Sequence, residues 1–107
     1  MANIGGREVL APTPGSTVTI TIDPTVPHSV ARWTAAQAES IVISGTPLDG
    51  HLLTCIITND GTLARLITFS TGLAPTGTLL GTLSKKSVIS FIADGGTFIE
   101  RSRTVAI

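Results

Sequence analysis

Several residue types that commonly carry function are scarce in this chain. Its 107 residues include no tyrosine, one tryptophan and one cysteine. A single cysteine excludes an internal disulfide. Because Cys55 lies between Thr54 and Ile56 in an apolar segment, we interpret it as a buried, inert thiol. Aromatic side chains, on which the faces of sugars stack, make up only 4% of the residues.

Charge is also scarce, at 13% of residues, and the formal net charge is +0. Nucleic-acid binding needs a basic patch, and the seven Lys and Arg residues are scattered along the chain, so we expect no nucleic-acid partner. No apolar run approaches the ~20 residues of a membrane helix, and we expect no membrane association. A charged segment followed by an apolar one is missing at the start, so no signal peptide is expected.

What the chain does contain is apolar and β-forming. Thr, Val, Ile, Gly and Pro are frequent, which favours an all-β domain. The mean hydropathy of +0.43 is high for a monomer. Either both faces of some strands are covered within the domain, or the domain assembles with other copies or another protein.

Residues 49–69 predict the central feature, a hairpin. Leu53, Cys55 and Ile57 alternate along the first strand, and residues 59–61, Asn-Asp-Gly, supply turn chemistry before the return strand. Asp94-Gly95-Gly96 predicts a second hairpin. Seven to eight short strands follow from such signals, and they predict an antiparallel β-sandwich or jelly-roll-like barrel. Residues 16–107 form this single β domain, and residues 1–15 form an extended N-terminal arm.

Five apolar residues are candidates for an interface. Leu52 and Ile56 point away from the core-facing set of their strand, so they need a cover. Val9 and Leu10 are apolar within the arm, which is either a frayed terminus or a segment that becomes ordered on a neighbour. Trp33 is either a core residue or an exposed platform for a sugar.

Motifs for catalysis or cofactor binding are weak. His28 and His51 lack metal-ligand spacing and are interpreted as hydrogen-bonding loop residues. Asp49, Asp60 and Asp94 each precede glycine, which is turn chemistry rather than a glycosidase pair. Residues 72–77 have the glycine spacing of a phosphate loop without its lysine. We therefore predict no enzyme activity, no cofactor and no metal site.

As a whole, residues 14–100 resemble a β-structured module of bacteriophage virion proteins, found in tail fibres and capsid decoration proteins. The resemblance lies in residues 14–20, in the turn at Asp49 and Gly50, in residues 53–62 and 65–69, and in residues 88–96. The module's return strand commonly ends in Trp, where this chain has Phe69, and its last strand commonly carries a Trp, where this chain has Phe98.

The resemblance implies a protein of the virion, made in the host cytoplasm. Such modules often assemble as trimers, so it implies a homotrimer that contacts the major capsid protein or another virion protein. Two functions follow: a capsid decoration (cement) protein, or a receptor- or glycan-binding module of a tail or head fibre. The second would use Trp33 and residues 70–77.

Overall fold

The computed structural model describes residues 2–4, 7–74 and 77–106, with the backbone described for residues 2–4. This part of the chain is all-β. Its eleven strands are β1 (Ala2–Ile4), β2 (Arg7–Leu10), β3 (Thr17–Thr21), β4 (His28–Ala35), β5 (Glu39–Ser44), β6 (Leu52–Asn59), β7 (Leu66–Phe69), β8 (Leu73–Ala74), β9 (Gly77–Leu80), β10 (Lys86–Asp94) and β11 (Thr97–Thr104).

The strands form two mixed sheets. Sheet A has seven strands in the order β1-β2-β4-β6-β10-β11-β8, and sheet B has four in the order β3-β5-β7-β9. From β2 to β7 the chain alternates between the sheets, and β2, β4 and β6 run parallel, as do β3, β5 and β7. Each coil of chain therefore gives one strand to each sheet, which makes the fold a β-solenoid.

The coils differ in length while the strands stay in register. Arg7 of β2 aligns with His28 of β4, 21 residues later, and His28 aligns with Leu52 of β6, 24 residues later. In sheet B, Thr17 aligns with Ser40, 23 residues later. The corners between sheets absorb these differences, because a shift within a strand would turn core residues outward.

Antiparallel strands close the coils. β10 pairs with β6 in sheet A, and β9 pairs with β7 in sheet B. At the other end of the stack, β1 pairs with β2. Beyond β10, sheet A continues through β11 to the short parallel strand β8.

The core lies between the two sheets. It is built from the inward residues of alternating strands, and Ile20, Ile41, Leu53 and Ile89 are completely buried. Phe69 of sheet B meets Phe91 of sheet A edge to face, with ring centroids 5.6 Å apart. The two sheets therefore share one continuous hydrophobic cluster.

The predicted antiparallel β-sandwich or jelly-roll-like barrel of seven to eight strands is wrong. Alternation along a segment identifies a strand, but it carries no information about which strand lies beside it. Strands next to each other in sequence were expected to pair. In the solenoid, the central strands instead pair with strands one coil away.

The predicted hairpin over residues 49–69 is wrong for a related reason. β6 lies in sheet A and β7 in sheet B, so the two do not pair. Residues 60–65 form a corner between the sheets. The Asn59 amide organises it, donating to the carbonyls of Asp60 (2.8 Å) and Leu63 (2.7 Å) and accepting from the Arg65 N–H (2.8 Å). A two-residue turn needs positive φ at its centre, and Gly61 is not among the described residues with positive φ.

The second predicted hairpin is confirmed. β10 and β11 pair antiparallel, with Asp94 opposite Thr97. Gly95 and Gly96 have φ values of 64° and 83°. Positive φ at both central residues is the backbone of a type I′ turn, which matches the twist of the flanking strands.

The extended N-terminal arm in the fold prediction is also corrected for residues 2–4 and 7–10. Residues 7–10 form β2 inside sheet A, paired with β4, and Glu8 in its middle is completely buried. Residues 2–4 form β1, while Met1, Gly5 and Gly6 of the predicted arm lie outside the described residues. The described chain contains no helix, and hence none that could cross a membrane.

Gly72 occupies a position that only glycine fits. Its φ is +85°, and an added Cβ would lie 2.8 Å from Cβ of Ile43. We expect Gly72→Ala to lower the free energy of unfolding by ~1–2 kcal/mol for the left-handed backbone and by a further ~1–3 kcal/mol for the clash. Urea denaturation of the variant measures the sum of these two losses.

Gly50→Ala is the matched control. Gly50 has a φ of +86°, but nothing lies within 4 Å of its added Cβ. It therefore shares the backbone cost and lacks the clash. Equal losses in the two variants would contradict the close packing of the Gly72 turn against β5.

Candidate interaction surface

The outer face of sheet A carries apolar side chains that the core does not use. Three of the five predicted interface residues lie here: Val9 on β2, and Leu52 and Ile56 on β6, all half-buried. Ile92 and Ile99, aligned with each other on β10 and β11, extend the apolar surface and are 37% and 39% exposed. A sheet face that exposes several apolar side chains is typical of a contact surface.

Ile56 lies between two depressions on this face. One has a volume of about 310 Å³ and reaches Val9 and Val30, and the other has a volume of about 340 Å³ and reaches Thr58 and Lys86. Arg32 and Ile56 line both depressions. The face around Ile56 is therefore slightly concave, apolar toward Val9 and Val30 and polar toward Thr58 and Lys86.

Cationic side chains border the concave part of the face. Arg7 and Arg32 line the first depression, and Arg32 and Lys86 line the second. His28 lines the first depression beside Arg7, and its burial, together with the charge of Arg7, lowers its pKa. Among the described residues, no acidic one lines either depression, so the face favours an acidic partner surface.

Acidic residues gather at one corner of the solenoid. The corner of residues 22–27 and that of residues 45–51 line a common pocket of about 220 Å³. Asp49 is part of the lining, and Asp23 lies next to it, at the start of the first corner. The Asp49 carboxylate accepts a hydrogen bond from the Gly95 N–H (2.8 Å), which holds the β10–β11 turn beside it. Asp94, exposed at the end of β10, joins this acidic corner.

The other two predicted interface residues point inward. Leu10 packs partly buried against the core. Trp33 is 7% exposed, and its indole N–H donates to the Glu39 carboxylate (2.8 Å). Burial raises the pKa of Glu39, while the Trp33 bond and a bond from the Gly15 N–H (3.3 Å) favour its charged form.

Three further buried polar side chains, Glu8, Ser29 and His51, form one network. Ser29 donates to Oε2 of Glu8 (2.7 Å), and this oxygen also accepts from the Asp23 N–H (2.7 Å). Nε2 of His51 lies 2.8 Å from the Ser29 hydroxyl. Since the single hydroxyl hydrogen goes to Glu8, His51 must donate from Nε2. Glu8, Ser29 and His51 come from three successive coils, so the network spans the stack.

This network has the residue types of a hydrolase triad but not the order. In a triad, histidine lies between serine and the carboxylate and takes the serine proton. Here serine lies in the middle and its proton is directed to the carboxylate. Ser29 and Glu8 are also completely buried, so no substrate reaches the hydroxyl. The arrangement is suited to tying coils together.

Two atoms of the network have no hydrogen-bond partner among the described residues, Oε1 of Glu8 and Nδ1 of His51. Burial lowers the pKa of His51, and this effect outweighs the opposing attraction of Glu8. His51 is thus held neutral, packed edge to face on Phe98 with centroids 5.5 Å apart. A neutral imidazole leaves Nδ1 as an acceptor, which is a smaller loss than an unpaired buried charge.

Sequence reasoning missed the burial of His51 and Glu8. His51 was interpreted as a hydrogen-bonding loop residue, and its hydrogen bond to Ser29 agrees with that role. A signal for its burial was present, because His51 shares the odd-numbered spacing of Leu53 and Cys55, which face the core. Glu8 gave no such signal, because a glutamate side chain is ordinarily exposed.

Within residues 2–4, 7–74 and 77–106, no group of three or more His, Cys, Asp and Glu side chains is placed to hold a metal ion.

Cys55 is completely buried in the core, and burial raises the pKa of its thiol to about 12. Asp60 forms an ion pair with Arg65 (2.8 Å) at the corner between β6 and β7.

No protein-family model matches the chain, and no curated protein sequence matches it.

The His51 pKa predicts how stability depends on pH. The unfolded histidine has a pKa of about 6.5 and the folded one a lower pKa, so the unfolded state binds more protons below about pH 7. We expect the free energy of unfolding to fall as the pH drops from 7.5 to 5.5, and to fall less in His51→Gln. Chemical denaturation at several pH values measures this.

His28→Gln is the companion variant, because the His28 pKa is lowered as well and its share is obtained in the same way. The raised pKa of Glu39 opposes the trend, but it is present in every variant and cancels in the comparison. An unchanged slope in His51→Gln would mean that His51 is not held neutral.

Proposed function

We propose that this chain is a non-enzymatic structural protein of a bacteriophage virion, a capsid decoration protein that acts as a homotrimer. It is made in the host cytoplasm and contacts the major capsid protein or another virion protein. The apolar outer face of sheet A supports this proposal most directly. Leu52 and Ile56 lie outside the core on that face, and an interface would give them the cover they lack.

The distribution of charge supports contact between copies. A cyclic trimer joins two different surfaces of the same chain. The outer face of sheet A is bordered by cations, including Arg32, and the acidic corner carries Asp49 and Asp94, with Asp23 next to its pocket. These surfaces have opposite charge, so the face of one copy is suited to the corner of the next.

The energetics suit a protein present in many copies. Burying apolar area contributes ~25 cal/mol per Å², so a contact centred on a few residues such as Ile56 and Leu52 is modest by itself. Attachment through several linked copies raises the overall strength without any new kind of contact. A trimer on a regular shell gains from both effects.

The alternative is a receptor- or glycan-binding module of a tail or head fibre. It needs an exposed aromatic platform, and the chain's only tryptophan, Trp33, is 7% exposed with its N–H bonded to Glu39. Pro75 and Thr76 of the loop proposed for this role lie outside the described residues. The fibre module is therefore the less supported of the two proposals.

Charge reversal tests the contact between copies. We expect Arg32→Glu to weaken trimer formation about tenfold, or ~1.4 kcal/mol, because it places a carboxylate against the acidic corner of the next copy. Adding Asp94→Lys in the same chain restores the attraction and is expected to recover association. Sedimentation velocity over a range of concentrations and salt measures it.

Lys85→Glu is the matched control, since it makes the same change in net charge at an exposed residue that lines neither depression. If Arg32→Glu and Lys85→Glu weaken association equally, or if the double variant is no better than Arg32→Glu, the face-to-corner contact is refuted.

The copy number per particle tests the function itself. We expect purified virions of the phage that encodes this chain to contain it in hundreds of copies, measured by mass spectrometry against the major capsid protein. Regular decoration of a shell requires a number of that order. A handful of copies would favour the fibre module, and absence from particles would refute both.

A further inference from the structure

One of the four ends of the stacked coils lacks a closing strand. Antiparallel strands close the other three: β1 on β2, β10 on β6 and β9 on β7. β3 pairs with β5 on one side, and no strand of the described residues pairs with its other side. At the N-terminal end, sheet A thus extends one strand further than sheet B.

The free edge of β3 presents the backbone groups of three threonines. Ser16 accepts from the Ser40 N–H (2.9 Å), and Ile22 donates to the Ser44 carbonyl (3.1 Å), so the even-numbered residues face β5. Alternate residues of a strand direct their N–H and C=O to opposite sides. The N–H and C=O groups of Thr17, Thr19 and Thr21 therefore face the free edge, and no hydrogen bond from the described residues reaches them.

This edge lacks the usual protection against pairing. Exposed edges commonly carry a charge, a proline or a bulge, and the sequence Thr-Val-Thr-Ile-Thr of β3 has no charge and no proline. β3 pairs with β5 in register over its whole length, without a bulge. A groove of about 260 Å³ lies beside it, lined by residues 10–13 and residues 19–21.

β3 is complementary to itself. A two-fold axis at Thr19 places Thr17 opposite Thr21 and Val18 opposite Ile20, so outward residues meet outward residues and core residues meet core residues. Because Thr17, Thr19 and Thr21 all face the edge, the three facing pairs form six backbone hydrogen bonds. Asp23 falls opposite Gly15, which avoids contact between like charges.

We propose that β3 pairs with β3 of a second copy of this chain, antiparallel about a two-fold axis at Thr19. The pair supplies the closing strand that sheet B lacks and joins two four-stranded sheets into one continuous sheet. A five-residue strand pair is smaller than the ~1,200–2,000 Å² of a stable interface, so we expect a reversible dimer in solution. This contact does not use the outer face of sheet A, and at the acidic corner it reaches only Asp23, opposite Gly15.

Cysteine cross-linking tests the register. Thr19→Cys places two thiols opposite each other with Cα atoms ~5.5 Å apart, within disulfide reach. In Thr17→Cys or Thr21→Cys alone, the thiols are four residues apart along the strands, ~13 Å, which is too far. We expect oxidation to give disulfide dimers with Thr19→Cys, none with the other two singly, and mixed dimers when those two are combined.

The three positions are exposed alike on one strand, so each is a control for the others. The native Cys55 adds no background, since it is buried and its pKa is raised to about 12. Equal cross-linking at all three positions would show random collision, and cross-linking at none would show that the edge does not pair. Either result overturns the proposal.

Self-association gives a second measurement. Thr19→Lys places two like charges beside the two-fold axis, and we expect it to weaken the dimer at least tenfold in sedimentation equilibrium. Thr82→Lys makes the same substitution at an exposed turn and is expected to leave the dimer unchanged. An unmodified chain that forms no two-fold dimer at any concentration, or a dimer indifferent to Thr19→Lys, would overturn the pairing.

The two proposals fail separately. Arg32→Glu acts on the face-to-corner contact and is expected to leave the Thr19→Cys disulfide unchanged. Absence of the chain from virions would refute the decoration proposal and leave the two-fold pair standing. If Thr19→Cys in particles is cross-linked to a different protein and never to itself, the pair of β3 strands is refuted.

Discussion

Parallel stacking of successive coils is the constraint on which the rest of this structure depends. Each strand of the three coils lies beside the strand one coil away, and the inward side chains of both sheets meet in one hydrophobic cluster. Because side chains alternate, every strand that fills the core also builds an outer face. The apolar face that includes Leu52 and Ile56 is therefore a product of the same registers that place Leu53 and Cys55 inside.

The local elements of the fold could be predicted from sequence, but their partners could not. Asp94-Gly95-Gly96 predicts a hairpin correctly because two glycines with positive φ determine the turn by themselves. Asn59-Asp60-Gly61 contains similar residues and forms a corner, since the Asn59 amide binds carbonyls inside the loop. The two turns differ in where the following strand lies: β11 pairs with β10 in the same sheet, whereas β7 lies in the other sheet from β6. That placement depends on contacts with distant coils.

The candidate surface was predictable to the same extent. Leu52 and Ile56 were assigned to an outward face by their spacing, and that assignment needs only the alternation of one strand. Their meeting with Val9 depends on the stacking of β2, β4 and β6, which no single segment shows. Trp33 had two open interpretations, and its burial follows from an internal partner, Glu39, that becomes adjacent only when β4 turns into β5.

The hydrogen-bond network of Glu8, Ser29 and His51 also discriminates between alternative alignments of the strands. Hydrophobic strands of similar composition can slide past one another at small cost, because one apolar residue replaces another. Sliding β2 by two residues along β4 would replace Glu8 with Leu10 opposite Ser29 and leave a carboxylate without its donors in the interior. An unsatisfied buried carboxylate is far more costly than a mismatched methyl group. Three polar side chains thus select one alignment from several that the hydrophobic core alone would accept.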